Sequence, residues 1–165
     1  NGYPISAIIG KKKIMENAQE TFISSTMWTD RLGFIAANTA LKKLKKFNIN
    51  KKISKYGIRI KKGWLNLAKK NKIDISVSGL DTIVYLKFNY INNAEILTFF
   101  TQEMLKSGFL AGSQVTACIS YNKKIIDKYL KNVDETFSKI HSCIVKGKFP
   151  LKGEIKHSTF KRLTG

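Results

Sequence analysis

Three consecutive hydroxyl-bearing residues, Ser24, Ser25 and Thr26, end the apolar run of Phe22 and Ile23 and lead into Trp28, Thr29, Asp30 and Arg31. This is how a buried strand looks when it delivers hydroxyls and backbone N–H groups to a polar ligand. Each hydroxyl donates one hydrogen bond, and small neighbours let the backbone approach a phosphate or carboxylate. The same residues have a structural reading, in which they end a strand and cap the helix that follows. Arg31 suits bidentate binding of a carboxylate, or an ion pair with Asp30 or a neighbouring subunit. Trp28 either lines a pocket or packs at an interface. The residue types alone leave these alternatives open.

Other chemistry is easier to set aside. Ser6, Ser24 and Ser25 have no His–acid arrangement near them in sequence, so a serine hydrolase has no support. His141 and His157 are far apart, and neither sits at a metal-ligand spacing. Lys11, Lys12 and Lys13 form a polar run with nothing to depress a pKa, so a reactive lysine is not expected there. Cys118, in the apolar stretch from Val115 to Ile119, reads as a small buried hydrophobe. Cys143 falls near a helix end. Two such cysteines make no disulfide framework and suit a reduced, cytoplasmic setting. No stretch approaches the length of a membrane span.

The charge needs its own weighing. The 165 residues carry a formal net charge of +19, and between Lys42 and Lys72 there are thirteen Lys or Arg and no acid. Such a block can be the footprint of a polyanion or nucleic-acid binder. However, Ile53, Tyr56, Ile60, Trp64 and Leu67 form a helical apolar stripe through it, and the lysines fall mostly off that stripe. Its one arginine, Arg59, offers little of the guanidinium chemistry that nucleic-acid readers favour. A solvated helix face is the expectation, with a small basic polyanion-binding protein as the alternative of another class.

The elements that must position these residues follow from periodicity. Strands are expected over 5–9 and 21–24, with a short charged helix or turn over 11–17. A helix over 29–46 is expected to bury Leu32, Ile35, Ala36, Thr39 and Leu44. Asn50 is the expected N-cap of a second helix reaching Asn71, which Gly57 and Gly63 weaken by about 1 kcal/mol each relative to Ala. Strands over 73–77 and 82–88, with a turn over 78–81, read as an antiparallel pair. A helix over 94–106 points Leu97, Phe100 and Met104 inward and closes at Gly108, and a third strand spans 114–120. The last helix is marked by Ile126, Leu130, Val133, Phe137, Ile140 and Ile144 and ends at Gly147, before Pro150.

Three separated segments also resemble one known family. Residues 1–10, from Asn1 through Tyr3-Pro-Ile-Ser-Ala7 to Gly10, look like the segment that follows the Schiff-base lysine in class III pyridoxal-phosphate-dependent aminotransferases, a family that includes glutamate-1-semialdehyde aminomutase. Ser24-Ser-Thr-Met-Trp-Thr-Asp-Arg31 resembles its cofactor-phosphate segment in the non-mutase branch, and the stretch from His157 to Leu163 is similar to C-termini of that branch. The resemblance implies an α/β chain, the C-terminal part of a fold-type I pyridoxal-phosphate transferase. Residues 1–48 would end the large cofactor domain and provide a connecting helix, and 49–165 would form a small α+β domain. It implies pyridoxal 5'-phosphate as cofactor, with Thr26 and the Ser25 and Thr26 backbone N–H groups at the phosphate of a partner subunit in a homodimer. It further implies an amino donor and a carbonyl acceptor as substrates, and a catalytic lysine upstream of Asn1, the chain being a C-terminal piece. The mutase has Gly, Asn and Pro in this segment. Here Trp28 and Arg31 stand instead, which favours transfer between molecules over transfer within one.

Overall fold

The computed structural model describes residues 2–24, 26–27 and 29–157. The chain divides into two compact units, Asn1–Ile49 and Asn50–Gly165.

In the first unit, helix α1 (Lys12–Met15) runs into a 3-10 turn over Glu16–Glu20, and helix α2 spans Arg31–Lys46. Asp30 starts α2, its carboxylate accepting from the Leu32 N–H at 2.9 Å. This satisfies one of the amides left open at a helix N-terminus. Beyond Lys46 the chain leaves the helix at Asn48, whose φ of +48° lies in the left-handed region that asparagine tolerates. The strands expected over 5–9 and 21–24 are not formed. Those residues are irregular and exposed, because an apolar alternation supplies a face but not the neighbouring ladder a strand needs. The buried stripe expected of α2 is absent for a related reason. Leu32 and Ile35 are 59% and 61% exposed, and only Gly33 is buried, against Ile5.

The second unit holds α3 (Ile49–Lys70), β1 (Ile75–Leu80), β2 (Ile83–Phe88), α4 (Asn93–Lys106), β3 (Gln114–Thr116) and α5 (Lys123–Lys146). The sheet order is β1-β2-β3, and both pairings are antiparallel, with Ile75 opposite Phe88 and Val84 opposite Val115. The expected turn over 78–81 moves: β1 continues through Gly79, and the hairpin closes over Asp81 and Thr82. Gly79 has φ +87°, and a Cβ there would come 2.7 Å from the Tyr85 ring and 2.3 Å from the Ile83 carbonyl oxygen. The glycine therefore marks a close approach within the strand and not a turn. β3 is shorter than expected. After Ala117 donates to the Thr82 carbonyl at 2.8 Å, Tyr121 N–H turns back to the Cys118 carbonyl at 3.0 Å. Asn122 then caps α5 by accepting from Ile125 N–H at 2.9 Å.

One core joins these elements. β2 alternates so that Val84, Leu86 and Phe88 point inward, and it meets Trp64 of α3, Phe100 and Met104 of α4, and Val133, Phe137 and Ile140 of α5. Phe88, Phe100 and Phe137 form a triangle with centroids 6.0, 5.9 and 6.1 Å apart, tilted or edge-on as ring quadrupoles prefer. Asn50 lies inside α3, which begins one residue earlier. The glycines of α3 are tight contacts: a Cβ on Gly57 would sit 1.7 Å from the Asp81 carbonyl oxygen, and one on Gly63 2.6 Å from the Leu130 side chain. α5 ends as expected, at Gly147 with φ +65°.

Candidate functional site

The hydroxyl segment leads into a well-defined helix start. Thr21 Oγ1 donates to the Ala18 carbonyl at 3.0 Å, fixing the exit from the 3-10 turn. Ser24 and Thr26 are exposed, Thr26 in a turn, and just beyond it the Asp30 N–H donates to the Met27 carbonyl at 3.1 Å. The Asp30 cap marks where α2 starts. Ser25 and Trp28 lie outside the described residues. Arg31 is the exposed first residue of α2. The Asp30 carboxylate accepts from the Leu32 amide, and among the described residues it makes no ion pair with Arg31.

Elsewhere the placements are mixed. Lys11, Lys12 and Lys13 are exposed. His141 is half-buried on α5 and His157 is exposed, and no group of metal-ligating side chains forms among the described residues. Cys118 is exposed, contrary to its apolar surroundings in sequence, because β3 stops at Thr116 and the turn to Asn122 carries it outward. Hydrogen bonds from the Ser120 amide and hydroxyl pull its thiol below the usual range. Cys143 is half-buried, and burial pushes its thiol up. Part of the basic block is spent internally. Arg59 pairs with Asp127, Lys61 with Asp81 at 3.1 Å, and Lys70 with Asp134 at 2.5 Å. The Lys70 hydrogen bond holds the Asp134 carboxyl below its ordinary value. Among the described residues no helix is long and apolar enough to cross a membrane.

Three polar groups in the core escaped the sequence reading, Tyr129, Glu103 and Thr136. Tyr129 is 7% exposed, and its oxygen accepts from the Trp64 indole N–H at 3.1 Å; burial pushes its phenol up. Glu103 is 5% exposed and is bridged by Lys106 and by Lys139, the latter at 2.8 Å. Burial raises the Glu103 carboxyl, but hydrogen bonds from Lys106, Lys139 and Gln102 outweigh this and bring it down to about 2. Tyr129 sits four residues before Val133 on the α5 stripe, a spacing that could have revealed it. Glu103 lies beside Met104, where no periodicity predicts a charge.

No protein-family model matches the chain. Among solved structures, it is similar to the pyridoxal-phosphate internal aldimine form of the FumI protein of Sphingopyxis sp. MTA144, with a TM-score of 0.70 and 14% identity. The match covers 83% of this chain and 34% of that one, so the chain spans about a third of the length of the protein it resembles. At this identity the likeness concerns the fold: this mixed helix and strand chain folds like a portion of a pyridoxal-phosphate-dependent protein.

Proposed function

We propose that this chain is the C-terminal part of a pyridoxal-phosphate-dependent enzyme of fold type I, in class III, that moves an amino group from a small-molecule donor to a carbonyl acceptor. The observation that carries the reading is the fold shared over 83% of the chain with a portion of a pyridoxal-phosphate protein. The order of the three resembling segments supports the class. A homodimer acting in the cytoplasm completes the proposal.

The donor set in the first unit fits the phosphate end of this cofactor. Thr26 presents an exposed hydroxyl in a turn, with Ser24 exposed beside it and the N-terminus of α2 five residues on. Hydroxyl and amide donors suit phosphate oxygens, and the positive end of a helix favours an anion. The carboxylate of Asp30 at that same end opposes the anion, so the hydroxyls and not the helix terminus carry the contact. When bound, pyridoxal phosphate supplies the electron sink that lets an amino group leave one carbon skeleton and join another. Thr26 donates to a phosphate oxygen of the partner subunit's cofactor, with Ser25 as its helper. These contacts hold the cofactor and move no proton. The lysine that carries the ring lies upstream of Asn1 in this reading. Because the segment keeps the threonine and lacks the mutase's Gly, Asn and Pro, transfer between molecules is favoured over an aminomutase, and a free keto product from the donor distinguishes them.

The test is cofactor affinity in the full-length protein that carries this chain. Losing one charge-assisted hydrogen bond in Thr26→Val weakens pyridoxal phosphate binding by about tenfold, and Thr26→Ser restores most of it. Equal affinity in all three proteins overturns the role given to Thr26.

A further inference from the structure

A cavity of about 170 Å³ opens in the second unit between α3, the loop that follows α4, β3 and the start of α5. Its walls are mostly apolar: Ile60, Val115 and Ile126, with Ala111 at one side and the rings of Phe109 and Tyr129 at another. Those two rings meet edge to face at 5.6 Å, and Lys128 Nζ lies 5.8 Å from the Phe109 centroid. The exposed Gln114 and Thr116 and the half-buried Tyr121 also line it, and Tyr129 is the buried polar group among these walls. Its oxygen accepts from Trp64, and among the described residues no acceptor takes its own proton. A buried hydroxyl with an unspent donor is costly unless something meets it. The volume is close to the ~150 Å³ of an apolar cavity that takes benzene.

We propose that this cavity is a binding site for a small ring compound carrying one hydrogen-bond acceptor, a phenol-sized molecule whose oxygen accepts from Tyr129 and whose ring fills the space between Phe109, Ile60 and Ile126. The apolar walls supply the affinity, and the single buried donor fixes the orientation. Nothing in this site involves the hydroxyl segment of the first unit or pyridoxal phosphate, so it stands or falls apart from the proposed function.

The probe is 4-fluorophenol, followed by fluorine NMR as the full-length protein that carries this chain is titrated, with fluorobenzene as the ring without an acceptor. Saturable binding with a Kd of about 1 mM or tighter is expected for the phenol. Tyr129→Phe weakens the phenol about tenfold and leaves fluorobenzene unchanged, as the loss of one buried hydrogen bond requires. Ala111→Leu fills the space and abolishes binding of both probes. Circular dichroism confirms that each variant is folded. Should Tyr129→Phe unfold the protein, Ala111→Leu and the ratio of the two probes on the wild-type protein decide the matter. No saturation by about 10 mM, equal binding of both probes to the wild-type protein, or binding that survives Ala111→Leu overturns the proposal.

Discussion

Replacing Gly57 by alanine sets two physical effects of opposite sign against each other. Helix propensity alone predicts that the change stabilises α3 by about 1 kcal/mol, since glycine is the costliest ordinary residue in a helix interior. The packing predicts the reverse. A Cβ at Gly57 would lie 1.7 Å from the Asp81 carbonyl oxygen and 2.8 Å from its carbon, about half an ordinary van der Waals separation for the first contact. The obstacle is backbone in the β1–β2 turn, held by Lys61 donating to Gly79 O at 2.7 Å and to Asp81, so it cannot swing aside as a side chain would. Forcing the turn away from α3 costs about 3 kcal/mol or more, as overpacked cores do, for a net loss of about 2 kcal/mol. Gly63→Ala serves as the control. There a Cβ meets only the ends of the Leu130 side chain, at 2.6 and 2.7 Å, and a rotamer change relieves most of the clash. Urea denaturation followed by circular dichroism reads both. The reasoning predicts a clearly lower midpoint for Gly57→Ala and a smaller change for Gly63→Ala. An unchanged or raised midpoint for Gly57→Ala refutes it, because the clash would then cost no more than the propensity gain.

Further consequences concern charge, capping and the core. Glu103 sits at about 2 when folded and at its ordinary carboxyl value when unfolded, so it stabilises the fold above roughly pH 4.5 and loses that contribution as pH falls toward 2. Denaturation midpoints of the wild-type chain and Glu103→Gln compared between neutral pH and pH 3 should converge in acid, and a constant gap contradicts the ion-pair account. Asp30→Ala removes the α2 cap and lowers the stability of that helix by about 1 kcal/mol, read as earlier loss of amide protection over Arg31–Lys46. Phe137→Ala opens the middle of the aromatic triangle and costs about 3–5 kcal/mol, measured by the same urea titration.

The legible parts of the sequence are those whose burial partners are close by in the same unit. α5 shows its stripe because Ile126, Val133, Phe137 and Ile140 all face one core, and Gly147 and Pro150 punctuate its end. α4 follows for the same reason. The hairpin was visible in kind but misplaced in register, because Gly79 signals both a turn and a close approach, and only Tyr85 on the neighbouring strand decides which. Cys118 was misjudged because its apolar neighbours gave no sign that β3 would stop at Thr116. In the first unit α2 forms as its periodicity predicts but the strands expected over 5–9 and 21–24 do not, because among the described residues nothing pairs with those segments or covers Leu32 and Ile35. Periodicity names a face and not its partner. The hydroxyl segment suggests chemistry by its residue types, and the structure shows Thr26 exposed ahead of a capped helix. Tyr129 and Trp64 are 65 residues apart, and no spacing rule joins them.

The central proposal is tested most directly by borohydride reduction of the full-length protein with pyridoxal phosphate, followed by mapping of the labelled peptide. The account predicts one stoichiometric pyridoxyl-lysine upstream of Asn1 and none at Lys11, Lys12 or Lys13. Absence of a specific label, or a label confined to the exposed lysines of this chain, contradicts it.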